Sequence, residues 1–221
     1  MDFAKLTLHH YPGTRSARVL WLLYEIYGET LDPRIEIRKV ELYQGEHYRP
    51  PFVALNPNRS VPVLELDFGH AEPPLTLVES GGMIGFLADA HADTGLAPPP
   101  GPSRARAEYE QMLHYAASHM DALLTTLLYQ GKLLKPEERD AKTEARARQK
   151  IAEEVEPFLT ARLAAAPYAA GDGFSAADCV MGHNIEWARA FGCCREAIFK
   201  DYAERLRARP AYRAAFQDAA G

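Results

Sequence analysis

The chain has 221 residues, 47% hydrophobic, 25% charged and 10% aromatic, with 15 Gly and 16 Pro, a composition that excludes disordered and fibrous classes and leaves chain enough for one large domain or two small ones. Its 25 basic and 30 acidic side chains give a formal net charge of −5, which provides no basic field to gather phosphate backbones, so nucleic acid is not an expected partner. No apolar run reaches the ~18 residues of a membrane span, and MDFAKLTLHH lacks the basic-then-apolar plan of a leader, so the cytosol is the expected location and no membrane partner is expected.

In chain order, LTLHH (6–10) reads as a strand with Leu6 and Leu8 on one face, and SARVLWLLYEIY (16–27) as a helix apolar nearly all round, stopped by Gly28. RIEIRKVEL (34–42) predicts a second strand. An irregular stretch follows, then strands at VPVLEL (61–66) and PLTLV (74–78) and a helix at SGGMIGFLADAH (80–91). TGLAPPPGP (94–102) is poor in backbone donors and reads as a linker. Beyond it, Ala, Leu, Glu and Arg dominate without strand alternation, and helices are expected near 103–130, 136–165, 175–191, 196–208 and 210–219. The fold class is therefore α/β followed by an all-α half. Cys179, Cys193 and Cys194 form no CxxC and no metal-ligand spacing, so reduced thiols and no metal site are expected.

Three stretches carry chemistry. In NPNRSVPVLEL (56–66), Pro62 stands at a strand entrance, where a residue without an N–H is tolerated. A trans bond there makes an ordinary turn; a cis bond leaves the Val61 N–H and C=O facing outward, ready to pair with a peptide-like ligand. In LVESGGMIGFLAD, Ser80 begins a helix, either as its N-cap or as a hydroxyl that holds a carboxylate with the helix terminus, with Glu79 beside it to accept from an ammonium. In GDGFSAADC, Ser175 and Asp178 have capping-box spacing, a structural feature.

Together, NPNRSVPVL, VESGGMI and FSAAD resemble the NPxxxVPxL, ES and FSxAD motifs of the cytosolic glutathione transferases, over nearly the whole chain. The resemblance implies a thioredoxin-like glutathione-binding domain at 1–92, a linker at 93–102 and an all-helical bundle at 103–221 that forms the electrophile pocket. It implies a cis Val61–Pro62 bond, Val61 paired with the cysteinyl backbone of glutathione, and Glu79 and Ser80 on its γ-glutamyl end. GEHYRPPF resembles the GEHxxPxF of delta and theta-like members, which brings His47, with Arg59, to the glycyl carboxylate. Glutathione is then a co-substrate and no tightly bound cofactor is implied; the second substrate is a small hydrophobic electrophile or an organic peroxide, and the assembly is a homodimer.

Family members place a Tyr, Ser or Cys between the first strand and first helix. Here the segment is HYPGTRSARVLW, without Cys, which argues against the omega and beta-like thiol-exchange members; GTRSAR also departs from the SSCSxR of isomerase members. That leaves Tyr11, Thr14 and Ser16: registering the helix on serine-type members puts Thr14 at the catalytic hydroxyl, Ser16 suits a helix N-cap and stands level with Thr14 as the hydroxyl that meets the sulfur, and Tyr11, early at the strand end, ranks below them. Arg15 and Arg18 are electrostatic helpers. Tyr11 is placed in the electrophile pocket with Tyr109, Met112 and Tyr115, part of a stripe that includes His114 and His119. A non-catalytic module of the same scaffold is the alternative function.

Overall fold

In the computed structural model, which describes residues 3–216, the chain divides into two compact units: residues up to Leu96 with those from Arg207 onward, and Ala97–Leu206. The first unit runs β1 (Lys5–His10), α1 (Ser16–Tyr27), β2 (Ile35–Lys39), α2 (Pro50–Leu55), β3 (Val63–Asp67), β4 (Leu75–Leu77) and α3 (Ser80–Ala90). Its sheet has the order β2-β1-β3-β4. β1 is parallel to β2, with Leu8 opposite Ile37, and antiparallel to β3, with Leu8 opposite Leu64; β4 is antiparallel to β3. The C-terminal ends of β1, β2 and β4 and the start of β3 therefore lie at one end of the sheet.

Period-two burial explains the strands: Leu6, Leu8, Leu64 and Leu66 are fully buried. The expected strand at 61–66 starts at Val63, after Pro62. The stretch read as irregular contains two 3₁₀ turns, Leu42–Gln44 and Glu46–Tyr48, and α2. Pro50 at the first helical position favours that start, but six residues are too few to show a 3.6-residue period. Phe52 pins α2 in a cluster with Val40, Val61 and Val63, against which Tyr11, Leu42 and Leu55 pack.

In α1, Ser16–Leu23 are buried without interruption, as an all-round apolar pattern requires. Gly28 ends the helix at φ +83°, its N–H donating to Tyr24 O at 2.9 Å. The described end of the chain differs from the sequence reading, which put all of 103–221 in the helical half: α10 (Pro210–Phe216) belongs to the first unit. It packs on α1, with Tyr212 edge-on to Trp21 at 4.9 Å and Arg209 forking Glu25 at 2.7 Å to each carboxylate oxygen. α1, apolar nearly all round, is covered by β1, α3 and α10 together. The expected residues 217–219 of that helix lie outside the described residues.

The second unit is α4 (Arg104–His114), α5 (Asp121–Leu128), α6 (Ala141–Lys150), α7 (Glu156–Ala165), α8 (Ala176–Ala190) and most of α9 (Ala197–Arg207). The expected helix at 103–130 is a continuous run in which wide π turns at Tyr115–Met120 and Tyr129–Leu133 follow α4 and α5; a third π turn, Ile151–Val155, joins α6 to α7. Such turns disturb the regular ladder, and the buried Asn184 of α8 donates to Ala116 O at 2.8 Å, inside the first of them.

Asp178 is the polar centre of this unit. Fully buried, it accepts from the N–H groups of Ala169 and Ser175 at 2.8 Å each, from the Ser175 hydroxyl at 3.1 Å and from the Tyr202 hydroxyl at 2.8 Å. The capping box is present. Burial pushes the carboxyl above its usual range against four hydrogen bonds that hold it down. Asp178→Ala leaves at least three buried donors unpaired and should destabilise the protein by about 3 kcal/mol or more, read as a lower urea midpoint; Asp178→Asn, whose amide accepts at one oxygen, should fall between.

Candidate functional site

The turn from β1 to α1 is closed by one hydroxyl. Ser16 is fully buried; its Oγ accepts the Tyr11 N–H at 3.0 Å and lies 2.8 Å from Thr14 Oγ1 and 2.7 Å from His10 Nδ1. Ser16 is the first residue of α1, and the cap position belongs to Arg15, which contrasts with the N-cap expected for Ser16. The hydroxyl ties the helix back to the strand end rather than capping it. Thr14, partly exposed, donates to Tyr11 O at 2.8 Å and accepts the Ser16 N–H at 3.3 Å. Arg15 is partly exposed, whereas Arg18 is entirely buried. Tyr11 is half-buried, edge-on to Tyr43 at 5.6 Å.

Beside this turn stands the entrance to β3, since Tyr11 packs against the cluster that contains Val61. The Val61–Pro62 bond is cis. Asn56, buried, organises the approach: Nδ2 donates to Ser60 O at 2.8 Å, Oδ1 accepts the Asn58 N–H at 3.0 Å, and its C=O accepts the Arg59 N–H at 2.9 Å. That bonding holds Arg59 at φ +56°, an uncommon conformation for a residue with a Cβ. Among the described residues, the Val61 N–H and C=O make no hydrogen bond.

The exposed Arg59 lies over the Tyr48 ring at 5.9 Å, and the His47 ring lies against the same ring at 3.9 Å, tilted by 43°. Two residues named from sequence thus converge on a third that was not. The Nδ1 of His47 is buried and unpaired, and burial pushes the His47 pKa down, so the ring is neutral at pH 7.

At the end of β4, Glu79 takes φ +73°, and α3 starts at Ser80. The cap position belongs to Glu79, whose side chain makes no cap hydrogen bond, and Ser80 is the first helical residue rather than the N-cap. The first N–H groups of α3, the Ser80 hydroxyl and the exposed Glu79 carboxylate remain without partners among the described residues. A positive φ at a residue bearing a Cβ costs of order 1–3 kcal/mol and clusters at functional sites.

The first unit therefore gathers Tyr11, Thr14, Arg15, Ser16, His47, Arg59, Val61, Pro62, Glu79 and Ser80 at one sheet end. In the second unit, Tyr109 and Met112 are fully buried, while Tyr115 keeps some exposed surface and lies tilted against the rings of Phe158 at 4.6 Å and His119 at 5.1 Å. Burial raises the Tyr115 pKa to about 12. Burial also raises the thiol pKa values of Cys193 and Cys194, so neither is poised as a thiolate. Sequence reasoning missed His10 and Tyr48. Tyr48 adjoins His47 in GEHYRPPF and could have been found as its aromatic neighbour; nothing in HHYPGTRS signals that His10 faces Ser16.

Two family profiles match: "Glutathione S-transferase, N-terminal domain" over residues 4–84 and "Glutathione S-transferase, C-terminal domain" over residues 115–210. A curated relative, glutathione S-transferase D7 of Anopheles gambiae, is 32% identical over 109 residues, which is 49% of this chain and 44% of the relative's own length. Among solved structures, a glutathione transferase homologue from Sulfitobacter with bound glutathione superposes at a TM-score of 0.77, with 23% identity over 98% of this chain and 99% of that one. A family member from Pseudomonas fluorescens with two glutathione bound gives 0.80, with 22% identity over 96% and 92%.

Proposed function

Because the chain belongs to the glutathione S-transferase family, we propose that it binds glutathione, activates its thiol and transfers it to small hydrophobic electrophiles, with reduction of organic peroxides as a second use of the same thiolate. One observation carries this: a single end of the sheet offers unpaired main-chain groups at Val61, an uncapped helix start at Ser80 and a partly exposed hydroxyl at Thr14. Each matches one part of a tripeptide. Val61, beside the cis Pro62, pairs with the cysteinyl backbone as an added strand would. The α3 terminus and Ser80 take the γ-glutamyl carboxylate, and Glu79 its ammonium. His47 and Arg59, gathered on Tyr48, take the glycyl carboxylate.

The sulfur then lies against Thr14. A free thiol titrates near 8.5, and lowering that by about two units takes roughly 2.7 kcal/mol of preference for the anion. A hydroxyl donor, the start of α1 and the charges of Arg15 and the buried Arg18 provide contributions of that size. Thr14 is the thiol-facing group in this assignment and Ser16 stands behind it, because every direction around the Ser16 hydroxyl is occupied. Tyr11 contributes an aromatic wall for the electrophile. Within the helical unit, Tyr115 is the member of the expected electrophile stripe that has exposed surface, and Tyr109 and Met112 are fully buried. Glutathione is a co-substrate, with no resident cofactor; a homodimer in the cytosol is the proposed setting, and among the described residues no helix is long and apolar enough to cross a membrane.

The alternative, a glutathione-binding module without turnover, draws support from the internally bonded Ser16. Calorimetry with glutathione, followed by assays with 1-chloro-2,4-dinitrobenzene and cumene hydroperoxide, tests both readings: heat and turnover are expected, heat alone selects the module, and no heat rejects both. Thr14→Val should cut turnover by about tenfold or more while S-methylglutathione binds within about twofold. His47 provides a pH test. Its pKa is depressed in the free protein, and a bound carboxylate favours the protonated ring, so S-methylglutathione affinity should rise a few-fold from about pH 7.5 to about pH 5.5, as the ring gains its proton. His47→Gln should abolish that rise.

A further inference from the structure

The hydrogen bonds at the β1–α1 turn form a chain with a direction. Ser16 Oγ accepts the Tyr11 N–H, which leaves one lone pair and one proton for its neighbours Thr14 Oγ1 at 2.8 Å and His10 Nδ1 at 2.7 Å. The Tyr11 carbonyl, 3.1 Å from Ser16 Oγ, is a third and longer acceptor for that proton; when the proton goes to His10 or to Thr14, Ser16 accepts from the other. With Nδ1 bare, Ser16 donates to His10 and accepts from Thr14, and Thr14, one lone pair already on the Ser16 N–H, has the other open as an acceptor. With Nδ1 protonated, His10 donates to Ser16, Ser16 donates to Thr14, and the Thr14 proton is free to point outward or to Tyr11 O, 2.8 Å away.

We propose that His10 is a positioning residue that accepts the thiol proton of glutathione through Ser16 and Thr14. This rests on the reading in which the sulfur lies against Thr14. The sulfur gives its proton to Thr14 Oγ1, Thr14 passes its own to Ser16 Oγ, and Ser16 passes its own to His10 Nδ1. One S–H bond breaks and one Nδ1–H bond forms, each hydroxyl losing one proton and gaining another. The products are a thiolate that accepts from the Thr14 hydroxyl and an imidazolium buried two hydroxyls away. The same shift that removes the proton thus turns Thr14 from acceptor to donor, the arrangement that favours the anion. Burial of His10, only 5% exposed, keeps the chain from exchanging its proton with bulk water at that end. Adjacent to it in register or sequence, among the described residues, are the ionisable groups Lys39, opposite on β2; His9, on Glu65; and Tyr11, Arg15 and Arg18. These, and the charged groups farther along β1, β2 and α1, are common to the wild type and the His10 variant below, so a comparison isolates His10.

His10→Gln is the test. S-methylglutathione, which keeps the tripeptide frame but has no thiol proton, should bind the variant within about twofold of the wild type. The thiol of bound glutathione, titrated by ultraviolet thiolate absorbance, should ionise about one unit or more higher in it, a tenfold loss in its ionisation constant. Since a buried substitution can prevent folding, wild-type protein with isotope-labelled histidine gives a second readout: glutathione near neutral pH should move the His10 Nδ1 resonance to its protonated position, and S-methylglutathione should not. An unchanged thiol ionisation in folded His10→Gln, or an Nδ1 unmoved by glutathione, overturns the relay and leaves glutathione binding standing. Failure of the wild type to bind S-methylglutathione overturns both.

Discussion

A single buried hydroxyl holds the end of a strand to the start of a helix, and the candidate site is arranged around it. Ser16 has no exposed surface, and its oxygen meets a main-chain N–H, a second hydroxyl and an imidazole at 3.0, 2.8 and 2.7 Å. A buried hydroxyl left without partners would cost on the order of 1–3 kcal/mol, so the turn adopts the one path that satisfies it. That path keeps Tyr11 over the cluster at the entrance to β3 and leaves Thr14 toward solvent. The parallel pairing of β1 with β2 and the antiparallel pairings through β3 to β4 then bring the other loops to the same edge.

The two units settle their buried polar groups differently. In the helical unit, Asp178 collects four hydrogen bonds, two from Ser175 in its own capping box and one each from Ala169 and Tyr202, and leaves nothing for a ligand; its role is structural. At the sheet end of the first unit, several groups stay unpaired: the Val61 main chain, the Ser80 hydroxyl and the buried His47 Nδ1. Unpaired polar groups beside strained residues such as Glu79 and Arg59, both at positive φ, lower stability unless something else fills them. Their concentration at one edge, against full satisfaction around Asp178, separates a binding surface from a core.

Much of this was legible in the residues. Alternation in LTLHH and VPVLEL marks strands buried on at least one face, the unbroken apolar run from Ala17 to Leu23 marks a helix covered on several sides, and Gly28 marks its end. Pro62, Glu79 and Ser80 could be picked out because a missing N–H and a helix start constrain the backbone locally. Short elements were not legible: α2 has six residues, and its anchor, Phe52, acts through Val40, Val61 and Val63, which come from elsewhere in the chain. The destination of the last helix was hidden too, since Arg209 finds Glu25 across 184 positions of sequence.

The sequence by itself determined the class of the two halves, the position of the interrupted strand entrance and the set of hydroxyls available before the first helix, because these depend on periodicity and on residue type within a few positions. Only the tertiary structure decided which hydroxyl is enclosed and which stays open, that Arg59 and His47 share the Tyr48 ring, and that His10 stands behind Ser16. The physical reason is that a hydrogen bond is directional and reaches about 3 Å, so its partners are chosen by where the turn places them and not by how near they lie along the chain.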